Sequence, residues 1–366
     1  MWNLIGVSSI TRIRRSIYKT IETDIIPKDS NRKSKCPEKE IQIRPYNIAS
    51  TKIFKIILTY SRIKKYRKHI IKLLIIISKL KQEIYMNNTE LTDHTIELNG
   101  LKISNKYPLT LISGPCQLES LEHAMMIAEK LIEICDRNAI NFVFKSSFDK
   151  ANRTSHLSKR GLGIEEGLKI FQKLKSSLHI STLTDVHTPE QCELVAKEVD
   201  ILQIPAFLCR QTDLIIAASK TNKPVNIKKG QFLSPAEMQQ VAGKFISTGN
   251  KNLLLCERGT TFGYNDLVCD MRSIEILRQS GFPTVLDITH SIQQPGGKGS
   301  ESGGSREFIE TLAKAGTAVG IAGVFIETHE KPETAPSDGA SMLPLDQLSG
   351  LLSKIKAIDD VVKSFD

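Results

Sequence analysis

From residue 94 to the C-terminus, apolar positions follow two alternating periods. The stretch TIELNGLKI (95–103) alternates apolar and polar residues on either side of Asn99-Gly100. Asn-Gly suits a two-residue type I′ turn, in which both central residues take positive φ, so a β-hairpin is predicted there. Eight short apolar, β-prone runs follow, at 109–114, 142–147, 180–186, 201–206, 225–229, 253–259, 284–290 and 323–329. Stretches of helical length with one apolar face separate them. Two of these open with capping-box patterns, TPEQ (Thr188 to Gln191) and SPAE (Ser234 to Glu237). Each pattern combines a hydroxyl residue, Pro in the first turn, and Gln or Glu three residues on.

Eight near-continuous apolar strands alternating with helices predict an α/β protein with a closed parallel barrel, the TIM (β/α)8 fold. The 94–103 hairpin is then expected to cap the bottom, N-terminal mouth of the barrel. The structural alternative is a doubly wound open sheet. It would normally carry a glycine-rich phosphate turn after the first strand, and GPCQLES (114–120) is not one.

Charge changes the picture at the N-terminus only. The 366-residue chain has a formal net charge of +10, which at first suggests a polyanionic partner. Residues 1–85, however, hold 20 Lys and Arg against six Asp and Glu, whereas the remainder holds 30 against 34. The basic excess belongs to an Ile- and Lys-rich segment with a single glycine, Gly6, and no steady periodicity. Its most apolar run (69–81) is interrupted by Lys72 and is shorter than the ~20 residues of a membrane span. Residues 1–85 are therefore expected to be disordered or outside the working protein, with the working start at Met86. A basic tail for membrane surfaces or nucleic acid and a targeting extension are the alternatives. Residues 86–366 are expected to be one catalytic domain with no nucleic-acid or membrane partner. Seven cysteines without a C-x-x-C pair point to reduced thiols rather than a disulfide framework.

Active sites of this fold lie at the C-terminal ends of the strands, and in this sequence nearly every such end is polar. In order they offer Cys116; Lys145 with Lys150, Asn152 and Arg153; Asp185 and His187; Gln203 with Arg210; Lys228 and Lys229; Glu257 and Arg258; His290; and Glu327 and His329, with Asp338 in the loop beyond. The second, fifth and sixth strands bring Lys and Arg, which make an anion pocket for phosphate or carboxylate. The first, seventh and eighth bring Cys116, His290, Glu327 and Asp338. Barrel closure makes these neighbours, and one thiolate, one imidazole and two carboxylates form a divalent-metal set suited to Zn²⁺, Fe²⁺ or Mn²⁺. No short motif links the four. A lone Cys116 would read better as a buried thiol, and barrel closure reverses that preference.

The motifs SGPCQLES, KSSFDKANRTS, TDVH, QIPAFLCRQTDL, VNIKKGQFLSP, CERGTTFGYNDLVCDMRS, DITHSIQQPGG, VFIETH and SDGASMLPL together resemble the 3-deoxy-D-manno-octulosonate 8-phosphate (KDO 8-phosphate) synthases. The resemblance runs from about residue 90 to the C-terminus and leaves residues 1–85 untouched. It implies condensation of phosphoenolpyruvate with D-arabinose 5-phosphate and water, giving KDO 8-phosphate and phosphate for lipopolysaccharide synthesis. Metal-independent members carry Asn where this chain has Cys116, and often Pro where it has Gly230, so both residues resemble the metal-dependent kind.

By the same resemblance, Lys145, Lys228 and Arg258 hold phosphoenolpyruvate, and Lys150, Asn152, Arg153 and Thr154 line the pentose phosphate. Thr154 stands where the family usually has Ser. Gln203 joins the substrate pocket, and Arg210 reaches into a neighbouring subunit's site, which implies a homo-oligomer, expected to be a tetramer; the reduced thiols point to the cytoplasm. Asp185 and His187 are expected to orient substrate or move protons, alongside Lys145, Lys150, Lys228 and His290. The glycine-rich loop 293–305 is expected to be a mobile lid. The related heptulosonate 7-phosphate synthases share the barrel and the metal constellation, but their loops after the second and fourth strands differ from DKANRTS and PAFLCRQTDL. A sialic-acid-type synthase would not need the Arg153/Arg210 pair.

Overall fold

The computed structural model describes residues 93–152, 156, 158–297 and 303–365. The expectations for residues 1–85 fall outside these, as do those for Arg153, Thr154 and the middle of the 293–305 loop.

The hairpin forms as its turn dictates. Strands β1 (Ile96–Leu98) and β2 (Leu101–Ile103) pair antiparallel across Asn99 and Gly100, whose φ angles of 47° and 84° are both positive. Eight parallel strands follow: β3 (Thr110–Gly114), β4 (Asn141–Lys145), β5 (Ser181–Asp185), β6 (Ile201–Ile204), β7 (Val225–Lys228), β8 (Leu253–Glu257), β9 (Thr284–Asp287) and β10 (Gly323–His329). Each pairs with the next in sequence, and β10 returns to β3, so the sheet closes. Every predicted strand is present. Several are shorter at the C-terminal end than the apolar runs because the last residues turn into the site.

Each barrel strand leads to a helix: α1 (Leu121–Asn138), α2 (Ile164–Leu178), α3 (Pro189–Glu198), α4 (Thr212–Lys220), α5 (Met238–Ile246), α6 (Met271–Arg278), α7 (Ile309–Val319) and α8 (Leu345–Lys363). The two-residue period of a strand splits its side chains between two cores. Ile112, Val143, Leu183, Ile201, Leu254, Val285 and Phe325 fill the barrel interior. Leu111, Phe144, Leu202, Ile227, Leu255, Leu286 and Val324 face the helices. Ile96 and Ile103 of the hairpin join the interior group, and Asn99 Nδ2 donates to Ser181 Oγ at the start of β5 (3.1 Å). The hairpin thus seals the bottom mouth, as its position in the sequence predicts.

Local details separate the two predicted caps. Ser234 and Glu237 make a complete capping box, opening a 3-10 turn that runs into α5. Thr188 makes no cap bond to the helix backbone. Gln191 instead turns back and accepts from the His187 amide (2.8 Å), so this end is held by its side-chain amide and by Pro189. Beyond the barrel rim, Thr328 and His329 pair with Leu343 and Pro344, which folds the intervening loop, with Asp338, back over the strand ends.

Candidate active site

A cavity of about 530 Å³ opens at the C-terminal ends of the barrel strands. Lys145, Lys150, Asp185, Lys228, Arg258 and His290 are among its lining residues, together with Asn152, His187, Gln203 and Asp338. Ten of the predicted site residues thereby line one space, and Cys116 and Glu327 lie against two of them, Asp338 and Lys145. Chain separations of more than 200 residues are closed by the β10–β3 pairing.

Four of these residues form the predicted metal set. Cys116 follows Gly114-Pro115 at the end of β3, and its Sγ lies 3.0 Å from Asp338 Oδ2. Donor atoms of Cys116, Glu327 and Asp338 all lie within 4.8 Å of one another. His290 Nε2 is 3.8 Å from Glu327 Oε2 and 3.9 Å from Asp338 Oδ2. Its other ring nitrogen, Nδ1, bonds Asp287 Oδ1 (2.9 Å), which turns Nε2 toward the carboxylates. Glu327 Oε2 is buried and accepts no hydrogen bond among the described residues. A buried carboxylate oxygen with no donor costs free energy unless a cation completes it. The donor set and this orphaned oxygen fit a divalent cation of borderline softness.

Electrostatics agree with that reading. Burial pushes the Cys116 thiol well above its ordinary value, and the negative charges of Asp338 and Glu327 push it further. Without a cation the thiol keeps its proton. Burial alone would raise Glu327 too, but Lys145 and His290 override it and hold the carboxyl well below the usual carboxylate range. Lys145 Nζ donates to Glu327 Oε1 (2.6 Å) and lies 3.4 Å from the Cys116 carbonyl oxygen.

The cationic side of the cavity is built from inward-facing lysines. Lys228 pairs with Asp287 Oδ2 and sits 3.7 Å above the Phe325 ring. Burial works against charge on both Lys150 and Lys228. Glu327 and Asp185 near each ammonium, with Asp287 at Lys228, hold both above the ordinary lysine value. Arg258 is buried; its Nη2 donates to Gln293 Oε1 (2.9 Å), while Nη1 has no partner among the described residues. Asp185 ends β5 inside a chain of donors. Gln203 Nε2 reaches its Oδ1 at 2.6 Å, Ser147 Oγ reaches its Oδ2, and Asn226 Nδ2 fixes Gln203 at 2.8 Å. Burial would raise this carboxyl, but Lys145, Lys150 and Lys228 hold it ionised, well below the usual range.

One strand-end expectation is corrected. Lys229 does not enter the anion pocket: its Nζ lies 3.5 Å from Glu257 Oε1 and bonds Thr260 Oγ1 and the Gly259 and Leu233 carbonyls. The pleat decides this, because Lys228 points inward and its neighbour must point outward. Arg210 is exposed and does not line the chain's own cavity; its carbonyl accepts from Lys244.

Some site residues escaped the sequence reading. Asp287, Gln293, Ser147 and Arg306 all lie in or against the cavity. Asp287 stands three residues before His290, one helical turn, which is the spacing that lets it cap His290 N and bind Nδ1. Gln293 and Arg306 flank the glycine-rich loop and carry no short-range signal.

A second cluster, Glu119, His123 and His329, has ligand-type atoms close together. The His329 Nδ1 accepts the Lys331 amide (2.9 Å), so its Nε2 carries the proton and donates to Glu119 Oε1 (2.9 Å). That leaves His329 no lone pair for a cation, and the cluster reads as a hydrogen-bonded clamp.

The chain matches the family model described as the DAHP synthetase I family over residues 84–364. It is 58% identical over 261 residues to a 2-dehydro-3-deoxyphosphooctonate aldolase of Rhizobium meliloti, covering 71% of this chain and 93% of that protein. A protein of the same name from Chelativorans is 55% identical over 269 residues, 74% of this chain and 98% of the relative. One from Brucella ovis is 54% identical over 270 residues, with 74% and 98% covered. Among the described residues, no helix is long and apolar enough to cross a membrane.

Proposed function

This chain belongs to the DAHP synthetase I family, and we infer that it condenses phosphoenolpyruvate with D-arabinose 5-phosphate and water, giving 3-deoxy-D-manno-octulosonate 8-phosphate and phosphate. The observation that carries the reading is the meeting, at the base of one cavity, of the Cys116/Glu327/Asp338 cluster and His290 with the buried cations Lys145, Lys228 and Arg258. A phosphorylated enol acid needs the cations, and an aldehyde acceptor needs an electrophilic centre beside them.

Lys145, Lys228 and Arg258 bind the phosphate and carboxylate of phosphoenolpyruvate. Arg258 offers Nη1, which has no protein partner, and its planar fork matches an anion of this geometry. These contacts hold the enol carbon C3 against the aldehyde carbon of the sugar, a proximity effect. Lys150 and Asn152 line the cavity, and we assign them, with Arg153 and Thr154, to the pentose phosphate.

Cys116, His290, Glu327 and Asp338 would hold a Zn²⁺, Fe²⁺ or Mn²⁺ ion. When bound, such an ion polarises an aldehyde oxygen or lowers the pKa of a water. The C3 carbon of phosphoenolpyruvate attacks the aldehyde carbon, water adds at C2, and phosphate leaves with cleavage of its C–O bond. Asp185, held ionised and fixed by Ser147 and Gln203, accepts a hydroxyl or water proton. His187 stands beside it with a buried Nδ1 that has no partner among the described residues. Lys150, charged and close to Asp185, Glu327 and Asp338, donates toward oxygen as negative charge develops there.

Arg210, exposed and outside the cavity, is assigned to a neighbouring subunit's site in a cytoplasmic homotetramer. The decisive assay is phosphate release from phosphoenolpyruvate with arabinose 5-phosphate, using chelator-stripped protein resupplied with Mn²⁺, Fe²⁺ or Zn²⁺. Activity lost on stripping and restored by metal is the expected result. Phosphate release with erythrose 4-phosphate alone overturns the sugar assignment, and full activity after verified stripping overturns the metal role.

A further inference from the structure

Between the metal donor set and the anion-binding cations stands a single side chain that contacts both. Gln293 Nε2 donates to Asp338 Oδ1 (2.9 Å), and Gln293 Oε1 accepts from Arg258 Nη2 (2.9 Å). Gln293 is 7% exposed and Arg258 4%, so neither contact is readily exchanged for water. The amide orientation is set by its partners: an oxygen toward the guanidinium and an NH₂ toward the carboxylate is the one arrangement that satisfies all three groups. Asp338 turns its other oxygen, Oδ2, to Cys116 and His290. Asp338 itself sits at φ 56°, in the left-handed region, and its carbonyl accepts the Ser341 and Met342 amides at 3.0 and 3.1 Å. Its carboxylate therefore projects from a tight, fixed loop.

Resting on the functional reading above, we propose that Gln293 is a positioning residue that couples the metal centre to phosphoenolpyruvate binding. A cation on Asp338 Oδ2 pins the carboxylate. The pinned Oδ1 fixes the Gln293 amide, and the amide holds Arg258 with Nη1 presented to the cavity. In the metal-free protein only the Cys116 thiol, among the described residues, holds Asp338 Oδ2, a weaker restraint than a cation, and part of the cost of ordering Arg258 falls on the incoming anion. Metal and phosphoenolpyruvate thus bind cooperatively through one hydrogen-bonded relay, in addition to direct attraction between cation and anion. Coupling of this kind is reciprocal: each ligand tightens the other by the same factor.

The test is calorimetric titration of phosphoenolpyruvate, without the sugar, into full-length protein stripped of metal and into Mn²⁺-loaded protein. Wild type is expected to bind at least about 5-fold more tightly when loaded. Electron paramagnetic resonance of free Mn²⁺, with and without phosphoenolpyruvate, must return the same ratio. Gln293→Met keeps the bulk and removes both polar contacts. It should lower the ratio by at least about 3-fold. Gln293→Glu keeps the acceptor for Arg258 but has no donor for Asp338, and it should lose the coupling as well. If either variant folds and keeps the wild-type ratio, the proposal is overturned. Equal weakening with and without Mn²⁺ also overturns it, since that is the signature of lost packing. Failure of wild type to bind phosphoenolpyruvate in both states overturns the functional reading and this proposal together.

Discussion

Asp287 Oδ1 lies 2.9 Å from His290 Nδ1, and the other oxygen of the same carboxylate pairs with Lys228. One buried carboxylate therefore orients an imidazole of the metal donor set and balances a lysine of the anion pocket. Burial would raise the Asp287 carboxyl, but His290 and Lys228 hold it well below the usual range, so it is ionised throughout the working pH range.

Asp287→Asn should weaken metal binding by about 10- to 100-fold, since an outer partner sets imidazole orientation and basicity. Competition with a chromogenic chelator measures this directly. An unchanged affinity would mean that His290 either needs no orientation or does not ligate.

Metal capture should also depend on pH. The Cys116 thiol is pushed up by burial, so it is protonated at neutral pH in the metal-free protein. Binding must expel that proton, and apparent affinity should climb by up to about tenfold per pH unit between about pH 6 and 8. The sign follows from the protonated form being the one that cannot ligate. Cys116→Ser should lower the affinity and flatten the slope, and Co²⁺-loaded wild type, unlike the variant, should show a thiolate-to-metal absorption band.

Arg258→Lys keeps the charge and loses the planar fork. The KM for phosphoenolpyruvate should rise by about 10-fold or more, with a smaller effect on the KM for arabinose 5-phosphate. Equal increases in both would place Arg258 outside the phosphoenolpyruvate subsite.

Gly114→Ala should destabilise the fold at the mouth of the site. An added Cβ would stand 2.1 Å from the Lys145 carbonyl oxygen, part of the neighbouring strand's backbone. Strands β3 and β4 would have to separate, at about 2 kcal/mol or more. A lower urea midpoint with weaker metal binding is expected, because Cys116 follows two residues later.

Much of the barrel was legible because periodicity records burial. The eight apolar runs and the Asn99-Gly100 turn are local properties, and each appears where the pattern places it. The Ser234 cap was equally local, while Thr188 makes no cap bond and the Gln191 side chain meets the His187 amide. A capping pattern cannot reveal which of two nearby amide donors the Gln191 oxygen meets.

The site divides the same way. That the strand ends meet at one cavity, and that Cys116, His290, Glu327 and Asp338 converge, follows from closing eight parallel strands in sequence order. The sequence by itself thus determined the fold class, the end of the barrel where the site lies and most of its charged residues. Tertiary structure decided which groups face one another. The pleat sent Lys228 into the cavity and Lys229 out to Glu257. The β10 extension carried Asp338 back to Cys116, and the base of the glycine-rich loop set Gln293 between Asp338 and Arg258. These contacts depend on the register and direction of side chains far apart in the chain, and no local pattern of residues encodes them.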